Sequence, residues 1–598
     1  MCGIVGILST EPLPDLAAGP LPRVLAALRH RGPDDQGLFR SAGGHAALAH
    51  VRLSILDLSP AGHQPMSTPD GRFTIVFNGE IYNFQELRRE LEASGATFRS
   101  HSDTEVILRA YEAHGAACVE RLRGMFALAL WDERERTCLL ARDPFGIKPL
   151  YLAESAGRLV FASEVRALMA SGLVRRELDP QGLRGYFRTG SVSEPRTLLR
   201  GVRCLEAGHL AIWQAGRLQT RRYWELRFQP EAVAAPEAAR TVRQALLDSV
   251  AHHFISDVPV GVFLSGGIDS TALVGLARTV GRADLHTYSI AFPGTPGDEG
   301  GLAQRSAAHF GTTHHEWKLD AAAGRQLFSQ YLQVMDQPSI DGLNTFTVSK
   351  FARDQGMKVV LSGLGGDELF GGYPSFRQVP RLARLNRRLR WTGPIRAGVR
   401  AVLRRARRPQ LRRLGEMLGQ PARLDTAYSA LRGTFTDAEA TMLTRHYTGE
   451  SGADDFSAAE PPADPTPEDA VSRLELTRYM RNQLVRDSDV MSMAHGLELR
   501  VPFLDVPLAN TLTRIPAAIR LQAGKRFLLQ AVPEVPDWIA NQPKRGFLFP
   551  FDQWLGAEWR EVFGALDRTC PVPTQTWYRK WAVFVFDRWR ERTFIVRS

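Results

Sequence analysis

Residues 258–280 read VPVGVFLSGGIDSTALVGLARTV: an apolar strand, a glycine-rich turn and a helical stretch in immediate succession. The same alternation continues on both sides. A helical pattern, TVRQALLDSVAHHF (241–254), precedes it; the strand HTYSIAF (286–292), another helix and the strand MKVVLSG (357–363) follow. Strands alternating with helices predict a parallel, doubly wound sheet, with the turn SGGIDS (265–270) at a strand's carboxyl end. Its glycines permit close backbone approach, so successive N–H groups and the helix start can cradle phosphate oxygens. The loop lacks the GxxxxGK[ST] pattern of a Walker loop, and by itself it serves equally well as a plain turn.

The chain has 598 residues, too many for one hydrophobic core, so two or more domains are expected. Apolar content of 44% and charged content of 23% match an ordinary globular protein, and no run is long enough to predict a transmembrane helix. The opening MCGIVGILST has no basic start and is soon interrupted by Glu11, Pro12 and Pro14, so it reads as a strand of a cytoplasmic protein and not as a signal peptide. Five scattered cysteines without a CxxC pair support neither a zinc site nor a disulfide framework. The formal charge of +11 is local: fourteen arginines and no acid lie in 377–413, and removing those charges leaves −3 for the rest. That segment reads as a solvated, partly helical insertion, or as a contact for an anionic partner; nothing requires an obligate nucleic acid.

Residues 1–225 contain strand-like runs, RFTIVFNG (72–79), GMFALALWD (124–132), TCLLARD (137–143) and RLVFASE (158–164). Between them lie the helical patterns FQELRRELEASG (84–95) and TEVILRAYEAHG (104–115), the second behind Ser102 and Asp103 as capping residues. The expectation is an α+β domain with antiparallel sheets over 2–225. The stretch 226–240, with two prolines and few large apolar residues, reads as a linker to a second domain over 238–598, mostly helical beyond 420. Cys2 stands out because removal of Met1 exposes an α-amine beside its thiol. With an unperturbed pKa of about 7.7–8.0, that amine can act as general base for its own side chain.

The collinear motifs MCGIVGIL, HRGPDDQG, RLSILDL, NGEIYN, SDTEV, GMFALALWD and RDPFGIKPLYLA resemble the class II glutamine amidotransferase domain, an N-terminal-nucleophile fold, over about the first 165 residues. The resemblance implies the four-layer sandwich of that fold. It also implies that Cys2 attacks the glutamine side-chain amide, with Asn78 and the Gly79 N–H as oxyanion hole. Arg52 would receive the glutamine α-carboxylate and Asp103 its α-ammonium, with Glu80 among the substrate contacts. Read without the family, Arg52 is a surface charge, Asp103 a helix cap, and Asn78-Gly79 a hairpin turn that could also present the donors.

Further along, SGGIDS, TYSIAF, the HHE after GTT, LSGLGGDELFGGY, SMAHGLELRVPFLD and PKRGF resemble the ATP-pyrophosphatase-type synthetase domain of asparagine synthetases. The resemblance implies that Ser265, Gly266, Gly267 and Ser270 hold pyrophosphate, and that Asp269 and Asp367 bind Mg²⁺. It places Phe263, Ile290, Ser362 and Gly363 on adenosine, and assigns Lys544 to the adenylated intermediate. The implied substrates are ATP, glutamine and aspartate, or another carboxylate in a paralogue; the oligomeric state stays open, a homodimer being one candidate assembly. Two departures stand out. Leu364 occupies a position usually acidic in the family, with Glu368 as the acid that could compensate. Asp487, Ser488, Asp489 and Val490 stand where Lys-x-Asp-Arg is usual, suggesting altered acceptor or phosphate recognition.

Overall fold

The computed structural model describes residues 2–14, 19–295, 298–452, 464–542, 549–556, 559–564, 566 and 570–594. Its first half contains two six-stranded antiparallel sheets. One runs, edge to edge, Val202–Cys204, Tyr151–Ser155, Arg158–Ala162, Gly3–Ser9, Ala46–Arg52 and Asp35–Arg40. The other runs Arg217–Arg222, His209–Gln214, Thr137–Arg142, Gly124–Asp132, Phe73–Ile81 and Met66–Ser67.

Three apolar clusters correspond to the three interfaces of a four-layer sandwich. Ile4, Leu8, Leu48, Val76, Leu140 and Phe161 lie between the sheets. Helices Pro20–Leu28 and Val165–Ser171 cover the outer face of the first sheet, and Phe84–Ala93 with Asp103–His114 cover the second. Being covered on both faces explains why GIVGILS and AALAHVR are buried at every residue and lack period-two alternation.

The second half is built on a five-stranded parallel sheet, Thr313–Lys318, His286–Ala291, Val260–Phe263, Val359–Leu361 and Glu498–Arg500 in spatial order. The outer strands Thr313–Lys318 and Glu498–Arg500 were not expected from the sequence. The expected linker is shorter than its composition suggests. Helix Ala235–His253 begins inside it, because Pro236 occupies the first turn, where a missing N–H costs nothing. Leu226 and Phe228 are buried in the main core. Beyond 420 the described residues are mostly helical, as expected.

Candidate active sites and the junction between them

Cys2 heads the central strand Gly3–Ser9 and is 7% exposed. Its backbone nitrogen donates to Asn78 Oδ1 at 3.0 Å, and its carbonyl accepts from Arg31 Nε at 3.0 Å. Burial pushes the thiol above its ordinary pKa, while the N-terminal charge, a bond from the Leu53 backbone and Arg52 pull the other way. Asn78 spends its oxygen on the Cys2 nitrogen. Its Nδ2 is buried with no partner among the described residues.

Asn78-Gly79 is not a turn. Both residues lie within the fully buried strand Phe73–Ile81, opposite Ala127 and Phe126 of Gly124–Asp132. Pairing across nine residues outweighs the local turn preference. The glycine answers to close strand approach instead, since a Cβ there would lie 2.1 Å from the Met125 carbonyl oxygen. Phe126 directs both its backbone groups at Asp143, so Gly79 opposite it belongs to a non-hydrogen-bonded pair. The Gly79 N–H therefore faces away from that strand. It lies on the same side as the Phe77 N–H, which donates to Gln64 Oε1 at 2.7 Å, and the Ile81 N–H, which donates to Asp103 Oδ2 at 3.0 Å.

Arg52 is no surface charge. At 6% exposure, its guanidinium donates to the carbonyls of Ser59 (3.3 Å), Leu56 (3.2 Å) and Asp57 (2.5 Å). Glycine at 62 makes room, because a Cβ there would lie 2.0 Å from Arg52 Nη2. Asp103 is not the cap of its helix; Ser102 is, accepting from the Thr104 N–H. Asp103 is the first residue of that helix, and burial raises its pKa to about 6 against the bond from Ile81. Burial and the neighbouring Glu498 hold Glu80 well above the carboxylate range, opposed by Arg500. Glu80 thus points at the other half of the molecule: Arg500 Nη2 lies 3.3 Å from its Oε2.

At the carboxyl ends of the parallel strands opens a cavity of about 520 Å³. Phe263, Ser265, Gly266, Gly267, Asp269, Ser270, Ile290, Ser362 and Gly363 all line it, together with Leu364, Asp367 and Glu368. Ser270 Oγ donates to the carbonyls of Ser265 (3.0 Å) and Gly267 (3.2 Å), folding the loop onto the start of helix Ile268–Thr279. The carboxylates of Asp269 and Asp367 converge because glycines admit them. A Cβ on Gly366 would lie 2.4 Å from Asp269 Oδ1, and one on Gly372 would lie 1.8 Å from Asp367 Oδ1. Lys525 Nζ bridges both carboxylates from a residue in the left-handed region (φ 56°), and their charge holds its pKa up against burial. Lys525 escaped the sequence reading; the only hint was its GKR context, which carries no periodicity. Leu364 faces the cavity and packs on the main core, while Glu368 is buried, accepts from Tyr373 OH at 2.8 Å and is raised to about 8 by burial beside Asp367. Lys544 lies outside the described residues.

Buried ion pairs join the two halves. Arg31, bonded to the Cys2 carbonyl, also pairs with Glu164 (2.9 Å) and, across the junction, with Asp489 (2.9 Å). Asp489 lies 3.4 Å from Lys148 as well. Arg500 pairs with Glu498 at 2.5 Å besides reaching Glu80, and Arg123 joins Asp505 at 2.5 Å. None of residues 487–490 lines the cavity at the strand ends. Asp489 belongs instead to the junction, between Arg31 and Lys148. Asp487 is buried, accepts from Ser339 and is raised to about 7 by that burial. Arg31, Lys148, Glu498 and Arg500 all sit inside motifs legible in the sequence, but their partners are distant in the chain.

Two family models match this chain: a glutamine amidotransferase domain over residues 1–224 and asparagine synthase over 241–583. Asparagine synthetase [glutamine-hydrolyzing] 1 of Bacillus subtilis is 33% identical over 574 residues, covering 94% of this chain and 89% of that protein. A putative glutamine-hydrolyzing asparagine synthetase of Mycobacterium tuberculosis is 35% identical over 593 residues, covering 93% and 89%. Amidase chry2 of Gibberella zeae is 28% identical over 588 residues, covering 89% and 85%.

Proposed function

Because this chain belongs to the asparagine synthase family, we propose that it is a glutamine-dependent ligase that amidates aspartate at the expense of ATP. With Met1 removed, the Cys2 nitrogen now on Asn78 Oδ1 becomes the α-amine that takes the thiol proton. The thiolate attacks the glutamine amide carbon, and the Asn78 Nδ2 and Gly79 N–H groups receive the charge that develops on oxygen. The α-ammonium passes that proton to the departing nitrogen, ammonia leaves, and water later hydrolyses the γ-glutamyl thioester. Arg52 and Asp103 hold the two ends of the glutamine backbone.

In the second site an aspartate carboxylate oxygen attacks the α-phosphorus of ATP, pyrophosphate departs, and ammonia displaces AMP from the β-aspartyl-AMP. Asp269 and Asp367 suit Mg²⁺, since hard carboxylates converge where the triphosphate's charge must be neutralised. Bound there, the ion would supply charge neutralisation to the leaving pyrophosphate. Lys525, displaced from between the carboxylates, would turn to the phosphate oxygens, and Lys544 would support the amidation step. Ammonia must pass between the two sites inside the protein, because protonation in bulk water would abolish its nucleophilicity.

What supports this reading best is that the ten residues expected to hold ATP or its Mg²⁺ line a single cavity. Supplying purified protein with ATP, glutamine and aspartate tests it: pyrophosphate release should depend on aspartate, and a rate indifferent to aspartate would remove the assignment.

One observation favours a second acceptor. A chamber of about 1010 Å³ adjoins the nucleotide cavity, sharing Asp341, Asn344 and Tyr479 with it. Arg478 and Arg481 line this chamber with no ion-pair partner among the described residues, so it suits a carboxylate carried on a larger anionic molecule. Comparing larger acceptors with aspartate in the same pyrophosphate assay decides between the two.

A further inference from the structure

The fourteen arginines of 377–413 fall on helices Ser375–Leu389, Gly393–Arg404 and Pro409–Met417 and the turns between them. The middle helix has no buried residue, although it is anchored on one side. There, Arg396 donates to the carbonyls of Leu418 (2.6 Å) and Gln420 (3.2 Å), and Leu403 packs on the local apolar cluster. Glycine at 415 permits the contact, since a Cβ there would lie 2.8 Å from Leu403 Cβ.

The adjoining side is apolar and open. Trp391 is 80% exposed, Ile395 64%, Val399 38% and Val402 71%. Their spacings of four, four and three residues keep them on one side of a 3.6-residue helix and the turn leading into it. Pro394, Gly398 and Ala401 fill the gaps and are exposed too. Five of the nine exposed large apolar side chains among the described residues lie between 385 and 402, a concentration that marks an interaction surface. In the same segment Arg388, Arg390, Arg404, Arg405, Arg407 and Arg408 are exposed, none with an ion-pair partner among the described residues.

We infer that this face docks on an anionic lipid bilayer. The helix would lie in the plane of the surface, with Trp391, Ile395 and Val402 in the headgroup–acyl boundary and the flanking arginines on lipid phosphates. The arrangement distinguishes this partner from two others. A nucleic acid would meet arginines at the centre of the face, where this one carries apolar groups. A second copy would bring one set of unpaired arginines against another, and like charges repel.

Flotation of the full chain with vesicles tests the inference. Phosphatidylcholine vesicles containing phosphatidylglycerol should carry the protein up, pure phosphatidylcholine should not, and added salt should weaken the binding. The triple variant Trp391→Ser, Ile395→Ser, Val402→Ser keeps every arginine and should bind roughly tenfold more weakly or worse, with glutaminase turnover unchanged as a control for folding. Replacing Arg404, Arg405, Arg407 and Arg408 with Gln should remove the preference for phosphatidylglycerol. The inference fails if wild-type protein ignores the anionic vesicles or if the triple variant binds them equally. It also fails if duplex DNA is bound instead and survives the triple serine change, or if that change merely dissociates a dimer.

Discussion

Replacing Asn78 with alanine removes two groups at once. Its oxygen accepts from the Cys2 nitrogen at 3.0 Å, and its Nδ2 is the buried donor left without a partner. Loss of one oxyanion-hole donor typically lowers kcat by about 10²–10³, or about 2.7–4 kcal/mol. Loss of the acceptor removes a bond to what becomes a charged α-amine, about 1.5–3 kcal/mol, though this also loosens the nucleophile in the ground state. The two effects share one side chain and do not add, so a fall of about 10²–10³ in glutamine-dependent kcat is expected. Asn78→Asp separates them: it keeps the acceptor, loses the donor and adds a repulsive charge, so it should be no better than alanine. The assay measures glutamate production from glutamine and, separately, pyrophosphate release with ammonium as nitrogen source. The ammonium reaction should be retained, because the nucleotide cavity lies on a different sheet. A glutaminase rate within about tenfold of wild type would refute the oxyanion role. So would an ammonium-dependent rate that falls in parallel.

The role proposed for Asp103 toward the glutamine α-ammonium requires its carboxyl, raised to about 6 by burial, to be ionised. Glutaminase kcat/KM should therefore drop as pH falls through about 6, which a pH–rate series reads directly. The stability sign is opposite: a carboxyl whose folded pKa lies above its unfolded value of about 3.9 favours the fold at low pH and loses that contribution as pH rises through the folded value. Asp103→Asn should thus resist urea better than wild type at neutral pH while binding glutamine poorly. Asp269→Asn should stop pyrophosphate release and spare glutaminase turnover, measured side by side on one preparation. Arg500→Met leaves Glu80 and Glu498 buried without their cation, and should cost about 3–5 kcal/mol in denaturant unfolding of the intact chain. A loss comparable to that of a surface ion pair would show that the junction is hydrated.

Local pattern carried a large part of this protein. The run Phe263 to Ser270 encodes strand, loop and helix within a few residues, and the structure keeps them in that order. The same holds for the strands GMFALALWD and TCLLAR and the helix following Ser102, whose boundaries depend on neighbouring residues. What needed the tertiary structure was anything settled by residues far apart in the chain. Asn78-Gly79 looks like a turn by composition and is a strand because Ala127 and Phe126 pair with it. Arg52 looks like a surface charge and is buried because the segment from Leu56 to Gly62 wraps its guanidinium in carbonyls. Lys525 meets Asp269 across 256 residues, and Arg31 meets Asp489 across a still longer stretch. Burial energies and charge pairing act through space, and only folding brings these groups within the few ångströms over which they count. The interest of Cys2 could be read from its place in the chain; the unpartnered donor of Asn78, the tie through Arg31 to the second half of the molecule, and the apolar face of the arginine helix could not.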